Sequence, residues 1–136
     1  MPAERRLSDF RGLWVIARTI TQADGTTGQF TGTGDFAPTA DGALEYTETG
    51  ELRLANSPPM RATRRYRWEE GLNVFFEDGR AFHRIPGAGG EALHLCPPDT
   101  YRVAYDFSDW PNWRATWDVT GPKKAYRMVS QYSPAA

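Results

Sequence analysis

Turn residues interrupt this chain at such short intervals that it has room for little besides short strands. Clusters centred on Asp24-Gly25, Asp41-Gly42, Ser57-Pro58-Pro59, Glu70-Gly71, Asp78-Gly79, Pro86 to Gly90, Pro97-Pro98-Asp99, Trp110-Pro111-Asn112 and Gly121-Pro122 divide it into ten extended segments. Connections this short join antiparallel neighbours, because a parallel pair needs a long crossover. Sequential antiparallel strands make a meander, and closing the meander into a barrel removes the exposed edges. The expected fold is therefore all-β: an up-and-down antiparallel barrel of eight to ten strands, after a short N-terminal helical turn ending at Ser8-Asp9-Phe10. The aromatic content of 13% suits such a fold.

Length and charge narrow the setting. The 136 residues fit one domain spanning 1–136, large enough for a core without metal or disulfide support. A net charge of −1 gives no bulk attraction for nucleic acid or an anionic membrane. The residues from Met1 to Phe10 are charged and lack an apolar run, and no stretch is apolar enough to span a bilayer. A lone Cys96 has no disulfide partner, and no metal-finger spacing is present. A cytoplasmic protein with no metal and no cofactor is the expectation, with a homodimer left open.

Alternation assigns faces, since successive strand residues point to opposite sides. In the third segment Glu45, Thr47, Thr49, Glu51 and Arg53 face water, which puts Leu44, Tyr46, Glu48 and Leu52 inside. In the fourth, Met60, Ala62, Arg64, Tyr66 and Trp68 face inward. Trp14, Phe30, Phe36, Tyr105 and Trp117 complete the expected interior. Hairpin symmetry then pairs Arg18 with Gly32, Gly32 with Glu48 and Glu48 with Arg64. One row reads Arg18, Gly32, Glu48, Arg64: two long cations flank a carboxylate, with a glycine leaving them room.

The segment Phe10-Arg11-Gly12-Leu13-Trp14 resembles the Gly-x-Trp signature of lipocalins. Length, strand number and meander are similar to the wider calycin group, the ten-stranded intracellular fatty-acid-binding proteins above all. The resemblance implies that Trp14 plugs the closed end of the barrel, with a C-terminal basic residue such as Arg127 over it. The lipocalin Thr-Asp-Tyr motif is absent, and Arg127 is followed by Met128-Val129 rather than by the Arg-x-Tyr pair of fatty-acid-binding proteins. Val15-Ile16-Ala17 stands where haem-binding nitrobindins carry a glycine-rich run. The sequence also resembles an uncharacterised bacterial family of lipocalin-like domains, which implies a fold and no activity.

Chemistry concentrates on the charged row. A Glu between two Arg makes buried charge tolerable, and it reads in two ways. Either it is a structural ion pair, or one guanidinium holds Glu48 while the other takes a ligand carboxylate or phosphate in a forked contact. Tyr46, Tyr66 and Trp68 on the same face are walls for an aromatic or acyl body, or core filling. His83 and His94 face inward in this register, opposite Val74 and Val103, as ligand contacts, a general base or haem ligand, or half-buried core. The leading expectation is a binding protein for a small anionic ligand. The alternative is a cofactor-free lyase or isomerase, resembling phenolic acid decarboxylases. There an arginine would hold the carboxylate, Glu48 would be the catalytic residue moving the proton, and Tyr46 or Tyr66 would orient a phenol. Of the cluster Arg61, Arg64, Arg65 and Arg67, parity sends Arg64 inside, and the other three read as cross-strand charge pairing beside Glu45, Thr47 and Glu51, with no nucleic-acid partner.

Overall fold

The computed structural model describes residues 4–135. A 3₁₀ turn at Leu7–Phe10 precedes ten strands: β1 Gly12–Gln22, β2 Thr27–Pro38, β3 Leu44–Leu54, β4 Met60–Glu69, β5 Asn73–Phe76, β6 Ala81–Arg84, β7 Gly90–Cys96, β8 Asp99–Asp106, β9 Trp113–Thr120 and β10 Ala125–Pro134. All pair antiparallel in one sheet ordered β6-β5-β4-β3-β2-β1-β10-β9-β8-β7. The sheet curls into a nearly closed, calycin-like barrel in which β6 and β7 are the two ends. No helix among the described residues is long and apolar enough to cross a membrane.

The expected facing holds along most of the first four strands, with Met60 at the start of β4 exposed instead. Trp14, Phe30, Phe36, Leu44, Trp68 and Tyr105 are buried, with Tyr66 and Trp117 packed against them. The pairing of Tyr46 with Tyr66 and of Glu48 with Arg64 also holds. Two hairpins differ by two residues from the expected register. Arg18 pairs with Phe30, and Gly32 pairs with Gly50 rather than with Glu48. The turn chemistry explains the shift. At Ala23-Asp24-Gly25 and Ala40-Asp41-Gly42 the loop has three residues, with glycine last in the left-handed region at φ 87° and 88°. Backbone bonds Gln22 N to Thr26 O and Thr39 N to Ala43 O close these loops at 2.8 and 2.9 Å.

Glu77-Asp78-Gly79 makes the same loop where a two-residue turn was expected, with Phe76 N donating to Arg80 O at 2.8 Å. A register shift between Val74 and Phe75 compensates, so that His83 still pairs with Val74. This bulge sets two consecutive residues of β6 against one of β5, and Phe82 and His83 both point inward.

Aromatic rings close one end. Phe10, fully buried, lies 5.1–6.0 Å by ring centroid from Phe36, Trp68, Phe107, Trp110 and Trp113. The Trp14 indole donates to the Phe10 carbonyl at 2.8 Å, which ties the entering chain to the plug. Arg127 does not cover this end. It pairs with Thr21 near the opposite rim, and its exposed side chain reaches Asp118 at 3.8 Å. The basic residue at the plug is Arg5, whose guanidinium lies 4.6 Å over Trp110.

Candidate functional site

Gly32 and Gly50 face each other across β2 and β3 so closely that a Cβ on Gly32 would strike the Thr49 carbonyl oxygen and the Gly50 Cα. Gly34 likewise leaves space for the Tyr46 ring, whose hydroxyl would sit 2.9 Å from an added Cβ. Glycines at these positions let long side chains cross the inner face, and a buried polar network occupies the space.

Arg18 and Glu48 form its centre. Nη1 donates to Oε1 at 2.9 Å and Nη2 to Oε2 at 2.6 Å, with the residues 7% and 3% exposed. They share no row of the ladder, because Glu48 pairs with Gly34 and Gly34 with Trp14. Strand tilt brings them together. Two strand spacings of about 4.8 Å at a tilt near 45° displace residues of equal height by about three positions, and the arginine stem spans the remainder. Arg18 Nε also donates to Ser130 Oγ at 2.7 Å. The Tyr46 hydroxyl donates to Glu48 Oε2 at 2.5 Å, and the Tyr132 hydroxyl lies 3.2 Å from both.

Arg64 does not complete the expected trio. It opposes Glu48 in register, but its side chain is exposed at the rim, and among the described residues it forms no ion pair. Glu48 is therefore held by one arginine and two tyrosines, and the fork of Arg18 is already occupied.

This arrangement fixes the protonation states. Burial opposes ionisation of Glu48, but the hydrogen bonds and charge of Arg18, with the Tyr46 hydroxyl and the charge of Arg64, hold its carboxyl below the usual range. Burial also opposes the charge on Arg18, and Glu48 outweighs it. Burial, with the neighbouring Tyr132 and Glu48, pushes the Tyr46 phenol well above its ordinary value. Near neutrality the network is a charged pair among neutral phenols.

Aromatic side chains fill much of the space around this pair. A cavity of about 20 Å³ remains on one side, lined among others by Arg64, Tyr66, Trp68, Phe82, His83 and Trp117. A second, of about 50 Å³, lies toward Ile20, Phe30, Leu52 and Ala62. Arg18, Glu48 and Arg64 border both. The first has room for about one water and the second for a few. Outside, an open groove of about 550 Å³ runs past Thr63, Arg64, Arg65, Tyr66, Phe76 and Arg80. Arg64 and Tyr66 thus border the interior and the groove.

The histidines stand apart from the charged pair. His83 Nε2 lies 2.9 Å from the Tyr105 hydroxyl, while its Nδ1 is buried without a partner. His94 packs against Phe76 and Phe82 at 5.7 and 5.2 Å, and its Nε2 is also buried and unpartnered. It pairs with Tyr101, not Val103, because Cys96 pairs with Asp99 directly across the Pro97-Pro98 turn; the two-residue shift keeps the ring inward. Burial, reinforced by neighbouring His94, lowers the His83 pKa to about 4.

A pH dependence follows. The folded value lies below the ordinary 6.5 of an unfolded chain, so between pH 6.5 and about 4 the unfolded state takes up a proton that the folded state refuses. Stability is expected to fall through that window by up to about 1.4 kcal/mol per pH unit. Below it, loss of the Glu48 carboxylate adds to the decline. Urea midpoints should show this slope in the wild type and a flatter one in His83→Gln.

Ser130 and Tyr132 escaped the sequence reading, although the alternation Tyr126, Met128, Ser130, Tyr132 carried the signal that they face inward. Phe82 escaped it for a different reason, since strict alternation cannot place both Phe82 and His83 inside.

The sequence profile of a family of unknown function, DUF6314, matches residues 10–134, and the chain belongs to that family. No curated protein matches it. Among solved structures, the barrel is similar to the S-type phycobiliprotein lyase CPES from Guillardia theta. The TM-score is 0.61 at 8% identity, over 96% of this chain and 90% of that one. At that identity the likeness shows the calycin-like fold alone.

Proposed function

From membership in a family described without an activity, and from a barrel shared with a phycobiliprotein lyase, we propose that this protein binds a small organic anion with an aromatic or acyl body. The observation that carries the reading is Arg64: an exposed guanidinium without an ion pair among the described residues, bordering both an aromatic interior and an outer groove. A ligand carboxylate, phosphate or sulfonate would take the fork of Arg64. The body would lie along Tyr66 and Phe76 and pass inward toward Trp117 and Trp68. Arg18, Glu48 and Tyr46 form the floor of this site, and their hydrogen bonds favour a positioning role over direct anion capture. His83 on β6 and His94 on β7 are the polar contacts at that end of the sheet.

The proton-moving alternative draws little support from the same geometry. Glu48 accepts from Arg18 and Tyr46 with Tyr132 beside it, which favours the ionised form and makes it a poor general acid.

Native mass spectrometry of protein purified from its own host tests the binding reading. The wild type is expected to carry a small acidic adduct that is lost in Arg64→Met, while both proteins give the same far-ultraviolet circular dichroism. A neutral adduct retained unchanged in the variant would refute the role of Arg64.

A further inference from the structure

We propose that ligand enters through the seam between β6 and β7, with Phe82 as the plug that it displaces. The proposal rests on the binding reading above and assigns the route by which its site is reached. Interior cavities of about 20 and 50 Å³ admit no organic ligand until a lining side chain swings aside. The seam is the weakest part of the barrel wall. β6 and β7 are the ends of the sheet, and among the described residues no ladder joins them. β6 has four residues, and a register shift interrupts its pairing with the equally short β5. The longer β1–β4 and β8–β10 ladders have no comparable break.

Phe82 fills the gap. Its ring stacks on Phe76 at 4.4 Å and meets the edges or faces of Tyr66, His94, Tyr101 and Trp117 at 5.2–6.1 Å. Moving it outward joins the interior cavity, which it lines, to solvent beside Phe76 and leaves a slot between Tyr66 and Trp117 for an aromatic ring. The second observation is polar. His83 Nδ1 and His94 Nε2, one on each side of the seam, are buried without partners. A closed wall leaves both nitrogens unsatisfied, and a ligand carrying hydroxyl or N–H groups would satisfy them. The occupant is thus an aromatic anion with hydrogen-bonding substituents, its ring in place of Phe82 and its charge at Arg64.

Stopped-flow binding of 8-anilinonaphthalene-1-sulfonate, an aromatic sulfonate, tests the route in the wild type, Phe82→Ala and Leu52→Ala, the last at the opposite cavity. Phe82→Ala is expected to raise the association rate about tenfold or more, because the closed population no longer limits entry, while Leu52→Ala leaves it within about twofold. If Phe82→Ala does not fold, His83→Ala opens the same seam and should act in the same direction. Acceleration by Leu52→Ala alone would overturn the seam as the route. Should no protein bind the probe, the binding reading fails, and hydrogen exchange judges the seam separately. Amides of β6 should then exchange by a local opening insensitive to low urea, and exchange only through global unfolding would overturn the proposal.

Discussion

Arg18→Met will destabilise the fold by about 3–5 kcal/mol, because it leaves the Glu48 carboxylate buried and deprived of its bidentate partner. Against a total stability of about 5–15 kcal/mol for a typical domain, that is a large fraction. The loss reflects the stranded charge more than any attraction the pair supplies. The double variant Arg18→Met/Glu48→Gln should therefore recover most of it, returning to within about 1–2 kcal/mol of the wild type. The side-chain amide oxygen introduced by Glu48→Gln would still accept from the Tyr46 hydroxyl, so the phenol keeps its partner. Urea unfolding of the three proteins measures both terms. A single variant as stable as the wild type, or a double variant no better than the single, would contradict the assignment of Arg18 and Glu48 as a buried ion pair.

The second large effect is expected at the closed end of the barrel. Phe10→Ala removes a fully buried ring from contact with Phe36, Trp68, Phe107, Trp110 and Trp113. Loss of a phenylalanine from a packed core costs about 3–5 kcal/mol, in transfer free energy and in the cavity left behind. At about 2–4 °C per kcal/mol for a chain near this size, thermal unfolding should move down by about 6–20 °C. The indole of Trp14 donates to the Phe10 carbonyl, so near-ultraviolet circular dichroism should also change. A shift of only a few degrees would mean that the N-terminal turn is an appendage, with the barrel closed by Trp113 and Trp14 alone.

Much of the barrel was legible because β3 and β4 alternate strictly. Glu45, Thr47 and Glu51 can only face water, and the facing of Tyr46 and Glu48 follows from them. The turns were legible as locations but not as centres. The expected pairings centred the first two hairpins on Gly25 and Ala40, whereas the loops close about Asp24 and Asp41, and a one-residue displacement of the centre moves the Arg18 and Gly32 pairings by two positions. The Arg18–Glu48 contact formed even so, for a reason outside any row of the ladder. Strand tilt belongs to the closed barrel and leaves no mark on alternation. Arg64 shows the same limit in reverse, since its inward parity is correct but β5 pairs only with Tyr66 to Glu69 and leaves the flank of β4 at Arg64 uncovered. The β-bulge beside Phe82 carries no signal in the run Asn73-Val74-Phe75-Phe76, so the residue that plugs the seam could not be read from the sequence.

Isothermal titration of a planar aromatic carboxylic acid and its methyl ester, each against the wild type and Arg64→Met, tests the central claim most directly. The ester keeps the shape and apolar area of the acid and loses only its charge. If Arg64 recognises an anion at the mouth of the barrel, the acid binds the wild type about tenfold or more tighter than the ester, as a charge-assisted contact of about 1.4 kcal/mol or more requires. That preference should vanish in Arg64→Met while the ester's affinity stays the same. Equal affinities of acid and ester for the wild type, or a preference for the acid that survives in Arg64→Met, would contradict it.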